Sequence, residues 1–321
     1  MTLQEIFLGQ KTIGGTNNDY INSLQQTSDG GYILGGYTSS YGAGNTDMFV
    51  VKLDSSGNIS WSKTIGGIYG DYINSLQQTS DGGYILGGYT SSYGAGNIDM
   101  FVVKLDSSGN ISWSKTIGGG SNDFINSLQQ TSDGGYILGG YTYSLTPGIA
   151  YMFVVKLDSS GNISWSKTIG GIYGDFINSL QQTSDGGYIL GGDTVSYGAG
   201  ISDMFVVKLD SSGNISWSKT IGGTNNDFIK SLQQTSDGGY ILGGYTSSYG
   251  AGNTDMFVVK LDSSGNIGNC SIIQSVTPPT TSPSVSSSTP SVSSLTPSVS
   301  SSTPSVSSST PNPTISTYCP I

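Results

Sequence analysis

The chain has 321 residues, only 10% of them charged, with 49 glycines, 20 tyrosines, no histidine, no arginine and a formal net charge of −10. Because phosphate neutralisation needs clustered lysine or arginine, we expect no nucleic-acid partner. No stretch reaches about 18 apolar residues, so we expect no membrane span. The absence of histidine excludes Ser/His and Cys/His catalysis.

One unit is repeated five times along most of the chain. Each copy starts with Lys-Thr-Ile-Gly-Gly, and successive starts lie 52 residues apart, at Lys11, Lys63, Lys115, Lys167 and Lys219. A fixed period of this size is typical of arrays, solenoids and propellers, in which each copy is one structural unit.

Four short apolar runs, separated by turn residues, make up each unit. In the second copy these runs, named strands A to D, are Ile73–Thr79, Tyr84–Thr90, Met100–Asp106 and Ile111–Ile117. Their length and their Val, Ile, Tyr, Phe and Trp content predict β-strands. Asp-Gly-Gly and Ser-Gly-Asn between the runs supply the positive φ of tight hairpin turns.

Strands B and C are apolar on both faces, so one four-stranded sheet must stack on copies of itself. The sequence therefore predicts an all-β fold, a five-bladed β-propeller of four-stranded antiparallel blades, over residues 1–273. The first ten residues lack the basic start and apolar core of a leader peptide, and we do not expect them to be one. Phe7 to Ile13 instead repeat the pattern of a strand D. We expect this strand to pair with Met256 to Asp262 and close the last blade, which has lost its own strand D.

Residues 274–321 differ in composition from the repeats. Pro283-Ser-Val-Ser-Ser-Ser-Thr recurs with small changes from Pro290, Pro297 and Pro304, and no charged residue follows Asp262. Such a sequence cannot bury a core, and it predicts a disordered or extended stalk, O-glycosylated if exported, or an unmodified linker.

The unit SDGGYILGGYT…DMFVVKLDSSGNISWSKTIGG resembles the SBBP-type propeller repeats of bacteria and archaea, which are related to the NHL repeat. The resemblance covers about Phe7 to Ile267. It implies a propeller on an exported or surface protein, although five copies are fewer than the seven blades that the family name suggests. The resemblance implies no shared catalytic residues, and fold alone does not give function.

The copies differ mainly in the D–A and B–C loops, which leave the same end of an antiparallel blade. This variation has two explanations: either the loops tolerate sequence drift, or they form a binding face. An aromatic ring beside Gly and Asn can stack on a sugar, so we consider four B–C loop tyrosines as ligand-binding, with packing on the neighbouring blade as the alternative. They are Tyr41, Tyr93, Tyr197 and Tyr249.

Three further sets of residues have two interpretations each. An aspartate precedes every strand A, where it either caps its turn or contributes to a cation site: Asp19, Asp71, Asp123, Asp175 and Asp227. Asn-x-Ser patterns, which predict N-glycosylation or arise by chance, occur at Asn58, Asn110, Asn162, Asn214 and Asn269. Cys270 and Cys319 form a disulfide in an oxidising compartment, with each other or with another chain, or remain free thiols.

These observations favour an extracellular or cell-surface binding module with no enzymatic activity, no cofactor and no bound metal. Its propeller head would recognise a glycan or a surface protein through one loop face. The alternative is a structural subunit of an extracellular filament or coat, in which the tail links neighbouring copies.

Overall fold

A computed structural model describes residues 10–268, 272–281, 286–288, 293–295 and 300–302. Within those ranges the chain is all-β and contains no helix. Accordingly, no helix there is long and apolar enough to cross a membrane. The predicted all-β fold of repeated four-stranded antiparallel sheets is confirmed.

Strands A to D form in every repeat where the alternation of apolar runs and glycine turns predicts them, except that the described residues of the fifth repeat include no strand D. A short strand, β1 (Thr12–Gly14), precedes the first repeat. The strands of the first two repeats are β2 (Asp19–Gln26), β3 (Tyr32–Thr38), β4 (Asp47–Leu53), β5 (Ile59–Gly66), β6 (Asp71–Gln78), β7 (Tyr84–Thr90), β8 (Asp99–Leu105) and β9 (Ile111–Gly118). The third and fourth repeats give β10 (Asp123–Gln130), β11 (Tyr136–Thr146), β12 (Ile149–Leu157), β13 (Ile163–Ile169), β14 (Asp175–Gln182), β15 (Tyr188–Thr194), β16 (Asp203–Leu209) and β17 (Ile215–Ile221). The fifth gives β18 (Asp227–Gln234), β19 (Tyr240–Thr246) and β20 (Asp255–Leu261).

Consecutive strands pair antiparallel, so each repeat is one sheet. Sheets 1 to 4 are β2–β5, β6–β9, β10–β13 and β14–β17, and sheet 5 is the three-stranded β18–β20. The A–B and C–D turns place glycine at positive φ, as in Gly82 (φ 80°) and Gly109 (φ 79°). Strand C is buried along its whole length in sheets 1, 2 and 4.

The described residues fall into two compact units. The first contains the chain up to Ile125 and the segments from Ser286 onward, and the second begins at Asn126, inside β10. In the first unit, Met48, Val50 and Ile65 of sheet 1 pack on Ile73 and Leu76 of sheet 2. In the second unit the same positions form the contacts of sheet 3 with sheet 4 and of sheet 4 with sheet 5.

The prediction that the N-terminal strand D closes the last blade is not confirmed, because the described strands include no hydrogen-bonded pair of β1 with β20. Residues 7–9 lie outside the described ranges, but Thr12–Gly14 do form a strand, and it pairs with Ser300–Ser302. Among the described strands, the partner of β20 is β19. A repeat identifies which strand a segment is, but it does not identify which of several equivalent edges that strand joins.

Short strands from the tail occupy the outer edges of the sheets. They are β21 (Ile273–Ser275), β22 (Thr280–Thr281), β23 (Ser286–Ser288), β24 (Ser293–Leu295) and β25 (Ser300–Ser302). In order they pair antiparallel with β17, β13, β9, β5 and β1. The tail thus pairs with the D strands in the reverse of their order along the chain.

The two periods of the sequence match in this pairing. The isoleucine of each Lys-Thr-Ile-Gly segment faces a tail residue seven positions from the previous one: Ile221 with Ile273, Ile169 with Thr280, Ile117 with Ser287, Ile65 with Ser294 and Ile13 with Ser301. The recurring prolines stand between the paired segments. Because proline has no N–H to donate to a ladder, this spacing keeps every paired position able to bond.

Removal of residues 280–321 will therefore expose the outer edges of β1, β5, β9 and β13. We expect a melting temperature lower by roughly 5 °C, since about 2 kcal/mol of net edge hydrogen bonding is lost. We also expect concentration-dependent association, because open strand edges pair with other chains. Calorimetry and light scattering measure the two effects.

Proline substitutions provide a matched test of the register. Ser288→Pro with Leu295→Pro removes two N–H groups at the positions where the ladder hydrogen bonds alternate onto Thr116 and Thr64, and amide exchange in β5 and β9 should accelerate. Ser284→Pro with Ser291→Pro adds the same residues between paired segments and should leave exchange unchanged. Equal exchange rates in both variants would show that these edges are not covered by the tail.

Candidate functional site: the D–A and B–C loops

The aspartate that begins each strand A fixes the D–A loop, and it is buried in the second to fifth repeats. Asp71 Oδ2 accepts hydrogen bonds from Gly67 N at 2.8 Å and from Ser92 Oγ at 2.7 Å, and Thr90 Oγ1 donates to Asp71 Oδ1. Asp19, Asp175 and Asp227 accept the equivalent three bonds, and Asp123 accepts from Gly119 N at 2.9 Å. This is the geometry of turn capping. Among the described residues, no cluster of three or more His, Cys, Asp or Glu is suited to hold a metal ion.

A second buried aspartate, which the sequence analysis did not single out, begins strand C. Asp47, Asp99 and Asp203 are each 1% exposed and accept bonds from Gly44 N, Gly96 N and Gly200 N. Burial raises the pKa of Asp47, and the nearby Asp71 charge raises this pKa further. Its signal in the sequence is the Asp-Met pair that begins strand C in four of the five repeats. In the third repeat, Tyr151 replaces this aspartate.

The four tyrosines considered as ligand-binding are half-buried. The hydroxyls of Tyr41, Tyr93 and Tyr249 each donate to a D–A glycine carbonyl, that of Gly14, Gly66 or Gly222, at 2.8 Å. All four rings, including that of Tyr197, lie 5.6 to 5.8 Å from a strand C phenylalanine. These contacts correspond to the packing alternative, and ligand contact through the tyrosines stays a prediction.

The most exposed apolar side chains of the loops lie elsewhere. Each of the two compact units carries one Ile–Tyr pair in a D–A loop. Ile68 and Tyr69 are 66% and 54% exposed, and Ile172 and Tyr173 are 72% and 57% exposed. In the second compact unit, Leu145 near the end of β11 and the B–C loop residues Val195 and Ile201 are also exposed. The signal of the Ile–Tyr pairs in the sequence is the Gly-Ile-Tyr-Gly variant of the D–A loop, which occurs in the second and fourth repeats.

Hydrogen bonds to the adjacent B–C loop hold each Ile–Tyr pair in place. Tyr69 N donates to Ser92 Oγ at 3.1 Å, and Tyr173 N donates to Ser196 Oγ at 3.1 Å. Both serines in turn donate to the capping aspartate of the same loop. The exposed rings are therefore carried by backbone that is anchored to buried carboxylates.

The C–D turns carry the exposed asparagines of the Asn-x-Ser patterns. Asn58 N and Nδ2 both donate to Asp54, and Asn110, Asn162 and Asn214 form the same pair of bonds in their own turns. Their exposure is compatible with glycosylation, which stays a prediction. Asn269, Cys270 and Cys319 lie outside the described residues.

One strand B position departs from its copies and creates a buried acid. Asp193 replaces the tyrosine found at Tyr37, Tyr89, Tyr141 and Tyr245, and it is 7% exposed. Asn178 Nδ2 donates to Asp193 Oδ1 at 3.1 Å. Burial raises the pKa of Asp193 from its usual 3.8 to about 6, although the Asn178 bond and the Lys230 charge oppose this shift.

Comparisons with known proteins agree with this architecture. The family model of a domain of unknown function described as a β-propeller, DUF5122, matches residues 27–59 and 235–267. No curated protein matches the chain at a significant level.

Several solved structures are similar. A protein of unknown function from Bacteroides caccae is 11% identical, with a TM-score of 0.44 over 77% of this chain and 80% of that one. The Pan2 WD40 domain of Neurospora crassa is 14% identical, with a TM-score of 0.48 over 80% and 65%. Sqt1 of Chaetomium thermophilum is 15% identical, with a TM-score of 0.40 over 78% and 71%.

The repeated four-stranded sheets and the family match together define a class. The chain is a β-propeller repeat protein.

Removal of one hydroxyl will test the structural role of the B–C loop tyrosines. Tyr93→Phe loses the bond to Gly66 O and keeps the ring on Phe101, so we expect a loss of about 1 kcal/mol in the free energy of unfolding. Tyr69→Phe, at an exposed ring, should cost nothing measurable. Urea unfolding measures both, and equal stability of the two variants would contradict the assignment.

The buried Asp193 predicts a specific pH dependence. Because its pKa is higher in the folded protein, the folded state binds its proton more tightly, and stability falls as the pH rises from about 4 to about 6. Asp193→Asn should therefore stabilise the protein at pH 8, by at most roughly 3 kcal/mol, and much less at pH 4.

A second aspartate gives a control of opposite sign. Hydrogen bonds from the Asn214 backbone and side chain lower the pKa of Asp210. Asp210→Asn should therefore remove stability at pH 8, not add it. Urea titrations at both pH values give the comparison, and an Asp193→Asn curve parallel to wild type would contradict the burial argument.

Proposed function

We propose that the protein is a five-bladed β-propeller exported to the cell surface, where it binds a protein or a glycan and catalyses no reaction. The D–A and B–C loops provide the binding surface. The observation that carries this proposal is the exposure of Ile68, Tyr69, Ile172 and Tyr173 on anchored backbone.

Rigid exposed aromatics suit recognition for two reasons. Tyrosine offers a large apolar ring and a polar tip, and it is enriched at protein interfaces and in sugar sites. A loop that is already ordered loses little conformational freedom when it binds, which favours affinity. Tyr69 and Tyr173 combine both properties, whereas the hydroxyls of Tyr41, Tyr93 and Tyr249 are already engaged with backbone.

The proposed location rests on the chemistry of the turns and the tail. Asn58, Asn110, Asn162 and Asn214 are exposed acceptor-type asparagines, and the tail is rich in Ser, Thr and Pro. Cys270 and Cys319 suit an oxidising compartment. These features favour a secreted glycoprotein, and mass spectrometry of native material tests the modifications directly.

Arrays of glycans and of extracellular protein domains will identify the ligand class. We expect hits for the wild-type chain that Tyr69→Ser with Tyr173→Ser reduces at least tenfold. The matched control is Asn17→Ser with Asn225→Ser, at the same loop position in the first and fifth repeats, and it should bind like wild type. No hits on either array, or hits that the tyrosine variant retains, would contradict the proposal.

A structural subunit of an extracellular filament or coat is the second candidate. The exposed Ile and Tyr side chains of the D–A loops favour it as well, because exposed apolar side chains can contact a second copy of the chain. The described tail segments pair with strands of their own chain.

A further inference from the structure

The loops of the fourth repeat carry apolar residues where other repeats carry polar ones. Val195 stands where three other repeats have serine, Ile201 where three have asparagine, and Ile172 where two have threonine. All three lie in the second compact unit and are exposed, at 43%, 63% and 72%. Together with Tyr173, which is 57% exposed, they form what we call the fourth-repeat patch.

Backbone hydrogen bonds join the two loops that carry the fourth-repeat patch. Val195 N donates to Gly174 O at 2.8 Å, and Tyr173 N donates to Ser196 Oγ at 3.1 Å. The start of the B–C loop therefore lies against the D–A loop, and Ile201 lies near the other end of the same B–C loop. The patch is thus carried by two loops that hold each other in place.

Val195 replaces a hydrogen-bonding residue of the scaffold. In the first and fifth repeats, the serine at this position forms a 3.2 Å hydrogen bond with the threonine near the end of its B–C loop, Ser39 with Thr46 and Ser247 with Thr254. Valine cannot form this bond, and it places apolar surface in water. Because the exchange brings no packing that would offset this loss, it is typical of a residue that serves an interface.

Buried carboxylates lie beneath the two loops. Asp175 Oδ2 accepts a hydrogen bond from Ser196 Oγ at 2.7 Å, and Asp203 Oδ2 accepts one from Gly200 N at 2.9 Å. The two aspartates are 0% and 1% exposed. Since salt screens buried charges less than exposed ones, these carboxylates act on the loop surface above them.

The lysines of this unit leave that negative charge in place. The D–A and B–C loops of the chain contain no lysine, and the chain has no arginine. The strand C lysines pair with A–B turn aspartates at the opposite end of the sheets, as Lys208 does with Asp185 at 2.9 Å. Lys230 Nζ lies 5.9 and 5.5 Å from the ring centres of Phe228 and Tyr245. The fourth-repeat patch therefore combines exposed apolar side chains with a negative potential.

We propose that the fourth-repeat patch binds a basic segment of a partner protein, one that carries lysine or arginine beside large apolar side chains. Apolar side chains of the partner cover the patch, and its cations lie above Asp175 and Asp203. This inference rests on the proposed function of the loop surface, and it narrows that function to one site and one class of partner.

Charge favours this occupant over two others. A second copy of the chain has a net charge of −10, so like charges oppose its approach. A neutral glycan gains nothing from the negative potential, and its binding would not depend on salt. Ile68 and Tyr69 of the second repeat lack the same support, because the neighbouring B–C loop keeps the polar Ser91 and Asn97.

A variant built from the chain's own residues tests the site in the full-length protein. The reverted variant carries Ile172→Thr, Val195→Ser and Ile201→Asn, which are the residues of the first and fifth repeats at these positions, and it keeps Tyr173. The control variant makes the corresponding changes in the second repeat, Ile68→Thr and Ile98→Thr. Circular dichroism and urea unfolding establish that both variants fold like wild type.

A display library of random peptides of about 12 residues, selected on wild type, provides the probe. We expect the enriched peptides to carry a net positive charge and large apolar residues. A selected peptide should bind the reverted variant roughly tenfold more weakly than wild type, and the control variant equally well. Its affinity should also fall by roughly threefold or more as salt rises from about 50 to about 500 mM, because salt screens the charges of the peptide.

No enrichment, enrichment of neutral or acidic peptides, or equal binding by the reverted variant would overturn the inference. If the reverted variant keeps binding that Tyr69→Ser with Tyr173→Ser removes, the proposed function stands and this site alone fails. Glycan-array hits that the reverted variant loses would assign the patch to a sugar. Self-association of wild type that the reverted variant loses, measured by sedimentation velocity, would assign it to a second copy, and either result would overturn the basic partner.

Discussion

The structure depends on the burial of strand C and its neighbours against the next sheet. Val50 and Val51, adjacent on one strand, are 0% and 3% exposed although their side chains point to opposite faces. A sheet that is apolar on both faces is unstable alone, so each repeat requires a partner on either side. Asparagines reinforce this stacking, since Asn22 Nδ2 donates to Ile73 O at 2.8 Å and Asn178 Nδ2 to Ile229 O at 2.9 Å. The fifth repeat, which no sixth follows, has Lys230 at that position.

Sequence periodicity was sufficient to predict the strands of the repeats, because side-chain pattern and turn glycines determine them locally. Strand D of the second repeat was predicted as Ile111–Ile117 and extends from Ile111 to Gly118. The partner of the N-terminal strand was not predictable in the same way. All D strands share the Thr-Ile-Gly sequence, and so their edges look equivalent to any argument from residue type.

The tail and the loops escaped prediction for different physical reasons. Edge pairing by Ser-rich segments uses backbone N–H and C=O groups, which all residues except proline have. It therefore requires no alternation of apolar side chains, and the sequence pattern does not predict it. In the loops, the repeated tyrosines were the visible signal, but recurrence in this chain accompanies burial: Tyr93 lies against Phe101, whereas the less repeated Tyr69 is exposed. Residues that recur in all copies are the ones that the sheets need for packing, whereas residues that differ between copies are more often exposed and available for binding.

The pairing of a seven-residue period with a 52-residue period links the copy numbers of the two arrays. Near-identical repeats recombine readily, and loss of one 52-residue repeat from the gene would remove one D strand while the tail kept all its heptads. Each tail heptad that follows the lost pairing would then lie beside the D strand of the wrong repeat, and the last heptad would have no D strand to pair with. Viable length variants of this protein must therefore change both arrays together, one heptad for each sheet, so the tail records how many repeats the chain contains.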